Sequence, residues 1–207
     1  MVSVALTGGV GAGKSEVLRL WKHAGVPVVS ADELSRRAVE PGSEGLAEIR
    51  SAFGDEVIGS DGALDRARLR AIVFSDTAGA DAAAARRRLE AITHPRIAAL
   101  RERWTRDRAA EGHPLVVAEV PLLFEAGLET EFDVTVVVDA PDDARVRRLT
   151  ETRGLPEAEA RRIMAAQMDP AEKRSRADHV IMNDGTLDQL EVRSAELLER
   201  LRAEAAA

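Results

Sequence analysis

A glycine-rich segment, residues 8–15 with the sequence GGVGAGKS, directly follows an apolar run from Val2 to Leu6. It fits the pattern G-x-x-x-x-G-K-[ST], and apolar side chains recur behind it at helical spacing, at Val17, Leu18, Trp21 and Ala24. Glycines let the backbone turn tightly, so that several N–H groups can approach phosphate oxygens. Because a strand and a helix flank it, the segment predicts a nucleoside triphosphate site rather than a turn with an incidental lysine.

Three groups in this segment suit a magnesium–nucleotide complex. The helix that begins near Gly13 directs its positive dipole end at the phosphates, and Lys14 adds a mobile ammonium group. The Ser15 hydroxyl is a suitable oxygen ligand for Mg²⁺. We therefore expect nucleotide contacts from the loop and the start of its helix, at Gly9, Val10, Gly11, Ala12, Gly13, Lys14, Ser15 and Glu16.

The composition excludes several other classes of protein. The 29 basic and 36 acidic residues give a net charge of −7, whereas a general nucleic-acid binder needs a basic surface. The chain has no cysteine, which excludes disulfides, thiolate metal sites and a cysteine nucleophile. No apolar run approaches the length of a membrane span, and we expect residues 1–7 to form a strand rather than a signal peptide. We expect one cytoplasmic domain that binds neither nucleic acid nor membranes, and a monomer, with other oligomeric states left open.

Five apolar runs are typical of parallel strands covered on both faces, because they are continuous rather than alternating. They are residues 2–6, 26–29, 115–120, 134–139 and 179–182. Helical periodicity between the runs predicts an α/β chain, a three-layer P-loop NTPase fold with a five-stranded parallel sheet. The last helix begins with a capping box formed by Thr186 and Gln189. Its apolar face is predicted at Leu187, Leu190, Leu197 and Leu201.

Two connections between these runs are much longer than a crossover of roughly a dozen residues requires. Residues 32–112, helical in pattern, are interpreted as an insertion that binds the second substrate. Residues 141–176 are rich in arginine and are interpreted as a helical lid over the nucleotide, since guanidinium groups bind phosphate oxygens. For any single arginine there, a solvated helix face is the simpler explanation. The core of the single domain is then residues 1–31, 113–140 and 177–207.

Two carboxylates stand at the carboxyl ends of predicted strands, where open parallel sheets place their ligands. Asp32 suits a base that orients an attacking hydroxyl, and a cap for a helix starting at Glu33 is an equally good explanation. Glu119 suits a contact with Mg²⁺ or its waters, with an ion pair at the sheet edge as the alternative. His94 and Pro95 are expected to start a helix, with proline at its first position. The four histidines lack the mutual spacing of a zinc site.

Taken together, these motifs resemble the dephospho-coenzyme A kinase family from residue 6 to residue 185. The opening LTGGVGAGKS is similar to the family's L-T-G-G-I-G-S-G-K-S, and Ser30-Ala31-Asp32 stands where the family has D-A-D. Thr93-His94-Pro95 is similar to its L-x-H-P element, and residues 119–125, EVPLLFE, to its V-P-L-L-F-E element. The family's closing pattern R-I…Q…K-R…A-D…N-x-G is matched by Arg162-Ile163, Gln167, Lys173-Arg174, Ala177-Asp178 and Asn183-Asp184-Gly185.

The resemblance implies that ATP, with Mg²⁺, donates its γ-phosphoryl group to the ribose 3′-hydroxyl of dephospho-coenzyme A. Asp32 would then accept the hydroxyl proton, and Lys14 and Arg148 would stabilise the charge of the transferred group. The acceptor pocket would be lined by Asp32, His94, Pro95, Leu122, Leu123, Phe124 and Glu125.

The resemblance also implies further contacts on the ATP side. Arg148 and Arg153 would be lid arginines, and the segment from Asn183 to Gly185 would lie beside the adenine. Independently of the resemblance, Ser15 and Glu119 are the expected contacts with Mg²⁺, Glu119 either directly or through a water.

The chain departs from the family pattern at two positions, and it lacks the features expected for two other functions. Ser30 replaces the first aspartate of D-A-D, and Glu16 stands where the loop often continues with threonine; neither change removes a residue that the mechanism requires. Another small P-loop kinase, acting on a nucleoside monophosphate or a hydroxyl metabolite, would not be expected to combine the H-P and P-L-L-F-E elements. A GTPase-like switch should show N-K-x-D, whereas this chain has Asn183-Asp184-Gly185 after its last apolar run.

Overall fold

The computed structural model describes residues 1–74 and 79–206, so residues 75–78 of the predicted insertion and residue 207 of the predicted core lie outside it. Within the described ranges, five parallel strands form one sheet in the order β2-β3-β1-β4-β5. They are β1 Val2–Gly8, β2 Val28–Ser30, β3 Leu115–Glu119, β4 Val134–Asp139 and β5 His179–Met182. The predicted α/β fold with a five-stranded parallel sheet is thereby confirmed.

Helices occupy most of the remaining described chain. They are α1 Lys14–His23, α2 Ala31–Arg37, α3 Glu44–Phe53, α4 Arg66–Val73, α5 Gly79–Ala110, α6 Asp142–Arg153, α7 Glu157–Ala165, α8 Pro170–Arg176 and α9 Leu187–Ala206. Short 3₁₀ turns lie at Asp55–Val57 and Glu129–Glu131. Among the helices of the described residues, none has the length and apolar character that crossing a membrane requires.

The chain divides into two compact units, each with its own apolar core. The first unit comprises Met1–Ser30 and Asp107–Ala207, and the second comprises Ala31–Arg106. The core of the first unit contains β1, β3 and β4 side chains together with α1 and α9, and the core of the second contains Ala38, Val39, Ile49, Val57, Leu69, Val73 and Ile92.

The centre of the sheet explains the continuous apolar character of the first run. β1 lies between β3 and β4, so both of its faces are covered, and Val4, Ala5 and Leu6 are fully buried. On one face, Trp21 of α1 is buried and its indole Nε1 donates to the carbonyl of Ser194 in α9, at 3.1 Å. This bond satisfies the polar atom of a large buried aromatic side chain.

The capping box of the last helix is confirmed, but two of the predicted positions on buried helix faces are wrong. The Thr186 N–H donates to Gln189 Oε1 (2.9 Å), and the Gln189 N–H donates to Thr186 Oγ1 (3.3 Å). Leu187, however, is 53% exposed, because as the first residue of α9 it precedes the buried face that begins at Leu190. Ala24 is exposed because α1 ends at His23.

Pro95 lies inside α5 rather than at the start of a helix. Residues 79–94 are rich in alanine and arginine, which favour helix strongly enough to extend it upstream of the proline. Proline cannot donate to the carbonyl one turn earlier. Nearby side chains donate to other carbonyls of the helix instead: Thr93 Oγ1 to Leu89 (2.9 Å) and Arg96 Nη1 to Ile92 (2.6 Å).

Asp178 connects the start of β5 to β4. Its carboxylate accepts from both the N–H (2.8 Å) and the hydroxyl (2.7 Å) of Thr135, and its own N–H donates to the Thr135 hydroxyl (3.0 Å). Burial alone would raise the pKa of Asp178, but the hydrogen bonds from Thr135 favour the ionised form and hold the pKa below its usual 3.8.

Replacing Asp178 with asparagine is expected to lower the free energy of unfolding at pH 7 by about 1 kcal/mol, a modest loss because the carboxylate is exposed. A carboxyl group whose pKa is lowered by folding stabilises the protein above its unfolded-state pKa, and this contribution disappears as the pH falls through the folded-state value. Urea titrations should therefore show the difference from the wild type shrinking below pH 3.8. Glu204→Gln, at an exposed carboxylate near the end of α9, is the control. A pH-independent difference would contradict the prediction.

Candidate active site

The loop between β1 and α1 approaches its neighbours so closely that side chains could not be accommodated. At Gly8 the φ angle is +148°, and an added Cβ would lie 2.1 Å from the carbonyl oxygen of Val138. At Gly13, the residue before α1, φ is +104° and a Cβ would lie 2.2 Å from Asn183 Nδ2. Glycine is required at both positions on two independent grounds, the positive φ angle and the contact.

The carbonyl oxygens of this loop all point to side-chain donors. Each carbonyl from Gly8 to Ala12 accepts at least one hydrogen bond from a lysine, arginine or asparagine. The bonds are Lys14 Nζ to Gly8 (2.8 Å) and Gly9 (3.4 Å), Arg145 Nε to Val10 (3.0 Å), Arg148 Nη1 to Gly11 (3.1 Å) and Ala12 (3.3 Å), and Asn183 Nδ2 to Ala12 (2.8 Å). The acceptors of the loop are thus occupied by protein donors.

The backbone N–H groups of the phosphate loop, unlike its carbonyls, are mostly without partners in the protein. Val10 donates to Gln167 Oε1 (2.9 Å) and Ala12 donates to the carbonyl of Gly9 (3.2 Å). Within residues 1–74 and 79–206, the five other N–H groups of the loop and its helix start donate to no protein acceptor: those of Gly9, Gly11, Gly13, Lys14 and Ser15. A loop with satisfied carbonyls and unsatisfied N–H groups at a helix start suits an anion.

Lys14 lies among other charged side chains at this loop. Burial lowers the pKa of Lys14 from its usual 10.5; Glu119 acts in the opposite direction, and the charges of Lys173, Arg153 and Arg145 lower it further. Because these cations repel one another, a polyanion bound beside them would be strongly favoured. The electrostatics therefore agree with the backbone: the site is suited to phosphate groups.

The two arginines predicted from the lid segment differ in their surroundings. Arg148 is half-buried in α6, and besides the loop carbonyls its Nη2 donates to the carbonyl of Asn183 at 3.1 Å. Arg153 is the last residue of α6 and is exposed. Arg148 thus stabilises the loop in this structure, whereas Arg153 has a free path to solvent.

The segment after β3, predicted to line the acceptor pocket, is divided between core and surface. Leu123 and Phe124 are buried, whereas Leu122 is 51% exposed. The carboxylate of Glu125 contacts the buried ammonium of Lys173 at 2.6 Å and accepts from the Met168 N–H at 3.4 Å. Burial would raise the pKa of Glu125, but Lys173 and the backbone donors outweigh this effect and lower it.

The two predicted metal ligands lie at the same end of the sheet as the loop. Ser15 is exposed in the first turn of α1, and Glu119 ends β3, in register with Leu6 of β1 and Ser30 of β2. The described residues contain no group of three histidines, cysteines or carboxylates that could hold a metal ion alone. A hydroxyl and one carboxylate nevertheless fit Mg²⁺, which keeps several waters and usually takes its other ligands from phosphates.

The remaining predicted site residues are divided between the two units. Asn183 is buried and Gly185 is exposed, both in the turn between β5 and α9 of the first unit. In the second unit, Asp32 is the second residue of α2, which starts at Ala31, so it lies within the first turn rather than capping a helix at Glu33. His94 and Pro95 are exposed on α5.

Two residues of the site carry roles that the sequence did not reveal. Gln167 accepts from the N–H of Val10, and the buried Arg145 donates to the carbonyl of the same residue. For Arg145 a signal existed: it lies four residues before Leu149, on the same buried helix face, where an arginine needs fixed partners. Gln167 is marked only as the glutamine of the family's closing pattern, which gives no indication of its contact with the loop.

Comparison with known proteins agrees with the geometry of the loop. The family model for dephospho-CoA kinase matches residues 2–189. The dephospho-CoA kinase of Thermobifida fusca is 44% identical over 202 residues, 98% of this chain and 97% of its own, and that of Anaeromyxobacter dehalogenans is 48% identical over 199 residues, 96% and 92% respectively. A crystal structure from Thermus thermophilus is similar with a TM-score of 0.78 and 35% identity, covering 97% of each chain. This chain therefore belongs to the dephospho-CoA kinase family.

Proposed function

We propose that this chain transfers the γ-phosphoryl group of ATP to the ribose 3′-hydroxyl of dephospho-coenzyme A, releasing coenzyme A and ADP. Membership of the family makes it an ATP-dependent phosphotransferase of coenzyme A biosynthesis. The observation that best supports the ATP site is the loop with five unsatisfied N–H groups and five satisfied carbonyls. ATP and dephospho-coenzyme A are cytoplasmic metabolites, and we infer the same location for the protein.

On the donor side, the loop and its neighbouring cations would bind and neutralise the phosphates. The unsatisfied N–H groups of the loop would bind phosphate oxygens, and the Lys14 ammonium would leave its two carbonyl partners for the transferred group. Arg148 and Arg153 would act from the lid, residues 141–176, as charge accumulates in the transition state. Asn183 and Gly185 would border the adenine.

Mg²⁺, when bound, would offset negative charge on the phosphates and fix their geometry. The Ser15 hydroxyl would be its protein ligand, and Glu119 would contact the ion or one of its waters. Glu119 also attracts the Lys14 ammonium, as its effect on the pKa of Lys14 indicates, so it would help to position both charges.

On the acceptor side, the insertion of residues 32–112 would bind dephospho-coenzyme A. Asp32 would accept the proton of the 3′-hydroxyl as that oxygen attacks the phosphorus atom. Support comes from its place in the chain, two residues after β2 ends, and from its exposure. His94, Pro95 and the segment from Leu122 to Glu125 would line the pocket, to which Leu122 would offer an exposed apolar side chain.

A coupled ADP-release assay with magnesium-ATP tests the proposal directly. Dephospho-coenzyme A would be compared with a panel of nucleoside monophosphates, and the product mass would be recorded. We expect turnover on dephospho-coenzyme A, with a mass gain of one phosphate, and little turnover on the other acceptors. Turnover on a different acceptor alone would overturn the substrate and keep the phosphate site; ATP binding without any turnover would favour a nucleotide-dependent switch.

A further inference from the structure

Gln167, in the turn between α7 and α8, forms a closed set of hydrogen bonds with the phosphate loop. Its side-chain oxygen accepts from the Val10 N–H at 2.9 Å and from Arg145 Nη2 at 3.4 Å. Arg145 Nε in turn donates to the Val10 carbonyl at 3.0 Å. Both polar groups of the Val10 backbone are therefore held by side chains from outside the loop.

These bonds fix the two peptide groups on either side of Val10. The first peptide group carries the Gly9 carbonyl and the Val10 N–H, which are bonded to Lys14 and Gln167. The second carries the Val10 carbonyl, bonded to Arg145, and the Gly11 N–H, which has no protein acceptor within the described residues. Because a peptide group is planar, holding the Val10 carbonyl also fixes the direction of the Gly11 N–H.

External support matters here because the flanking residues are glycines. Gly9 and Gly11 restrict the backbone little, and a loop free to rotate at Val10 would lose entropy each time it bound an anion. Gln167 is itself well anchored: the adjacent Met168 N–H donates to Glu125 at 3.4 Å, and Asp169 caps α8 through the Ala171 N–H at 2.7 Å. A residue that positions others needs such fixed surroundings.

We propose that Gln167 is a positioning residue for the nucleotide site, which fixes the phosphate loop through Val10 and Arg145 without touching the nucleotide. This inference rests on the proposed function only in that the bound anion is a nucleotide phosphate. Loss of the Gln167 side-chain oxygen leaves the Val10 N–H without an acceptor. It also removes one of the acceptors that hold the Arg145 guanidinium in place. The loop then samples orientations in which the Gly11 N–H no longer faces the anion.

Two variants test the proposal by binding of a fluorescent ADP analogue, which requires no acceptor substrate. Gln167→Met keeps the side-chain length and removes the oxygen, and Gln167→Asn keeps the amide and withdraws its oxygen from Val10. In both we expect roughly tenfold weaker ADP binding, as for the loss of one hydrogen bond at a partly buried site, and a lower kcat. The KM for the acceptor and the thermal midpoint should stay close to the wild type.

The control is Glu157→Met, at an exposed carboxylate in α7 whose ion pair with Arg161 does not involve the loop. It should bind the ADP analogue like the wild type. Wild-type ADP affinity in both Gln167 variants would overturn the proposal, as would an equal loss in Glu157→Met. If the wild type binds ADP but phosphorylates another acceptor, the proposed function fails and the role of Gln167 is still measured.

Discussion

Replacing Asp32 with asparagine is expected to lower kcat by a factor of roughly a hundred or more, as is typical for loss of a general base. ATP binding should stay nearly unchanged, because Asp32 does not belong to the phosphate loop. Within the part of the chain that the structure describes, the Asp32 carboxylate has no hydrogen-bond or ion-pair partner, so its removal should not destabilise the fold. Steady-state kinetics and binding of a fluorescent ADP analogue would measure the two effects separately.

A closely matched control exists in the same unit. Glu44 is an exposed carboxylate in the first turn of α3, as Asp32 is in the first turn of α2, and Glu44→Gln should leave kcat unchanged. Near-normal turnover in Asp32→Asn would remove Asp32 from the mechanism. A loss confined to the KM of the acceptor would instead make it a binding residue.

Replacing Lys14 with methionine is expected to lower kcat/KM by about a hundredfold to a thousandfold, the range found for loss of one preorganised charge donor. Two effects combine here. The ammonium would no longer offset the charge of the transferred group, and the Gly8 and Gly9 carbonyls would lose the donor that holds them in the unliganded loop. Nucleotide affinity should therefore fall together with kcat.

Lys22→Met is the matched control, since Lys22 is exposed in the last turn of the same helix. Initial rates over a range of ATP concentrations, with dephospho-coenzyme A held at saturation, would separate kcat from KM. An effect on KM alone would mean that Lys14 binds ground state and transition state equally. Equal losses of kcat/KM in the Lys14 and Lys22 variants would show that the effect comes from the lower positive charge of the protein rather than from the position of Lys14.

The parts of the fold that could be predicted from the sequence are those defined by local patterns. The phosphate loop, the strands and the capping box at Thr186 depend on residues within a few positions of one another, so their spacing is visible in the sequence. Pro95 was misplaced because local rules favour proline at a helix start, whereas the strong helix formers before it extend α5 through that position.

The support of the loop could not be predicted in the same way. The bond from Val10 to Gln167 joins residues 157 positions apart, and the bond from Val10 to Arg145 joins residues 135 positions apart. Such pairs meet because parallel strands bring distant connections to one edge of the sheet, and no spacing rule encodes them. The site residues in the second unit, Asp32 and His94, likewise rest on the family resemblance and await the variants described above.

The distribution of tryptophan over the two units gives each of them a natural spectroscopic reporter. The chain has two tryptophans: Trp21, buried in the first unit and bonded to Ser194, and Trp104, partly buried in the second. Their emission depends on the polarity around the indole, so a variant that keeps only one of them reports on one unit. Fluorescence can therefore establish whether the sheet and the helical unit melt together or in separate steps.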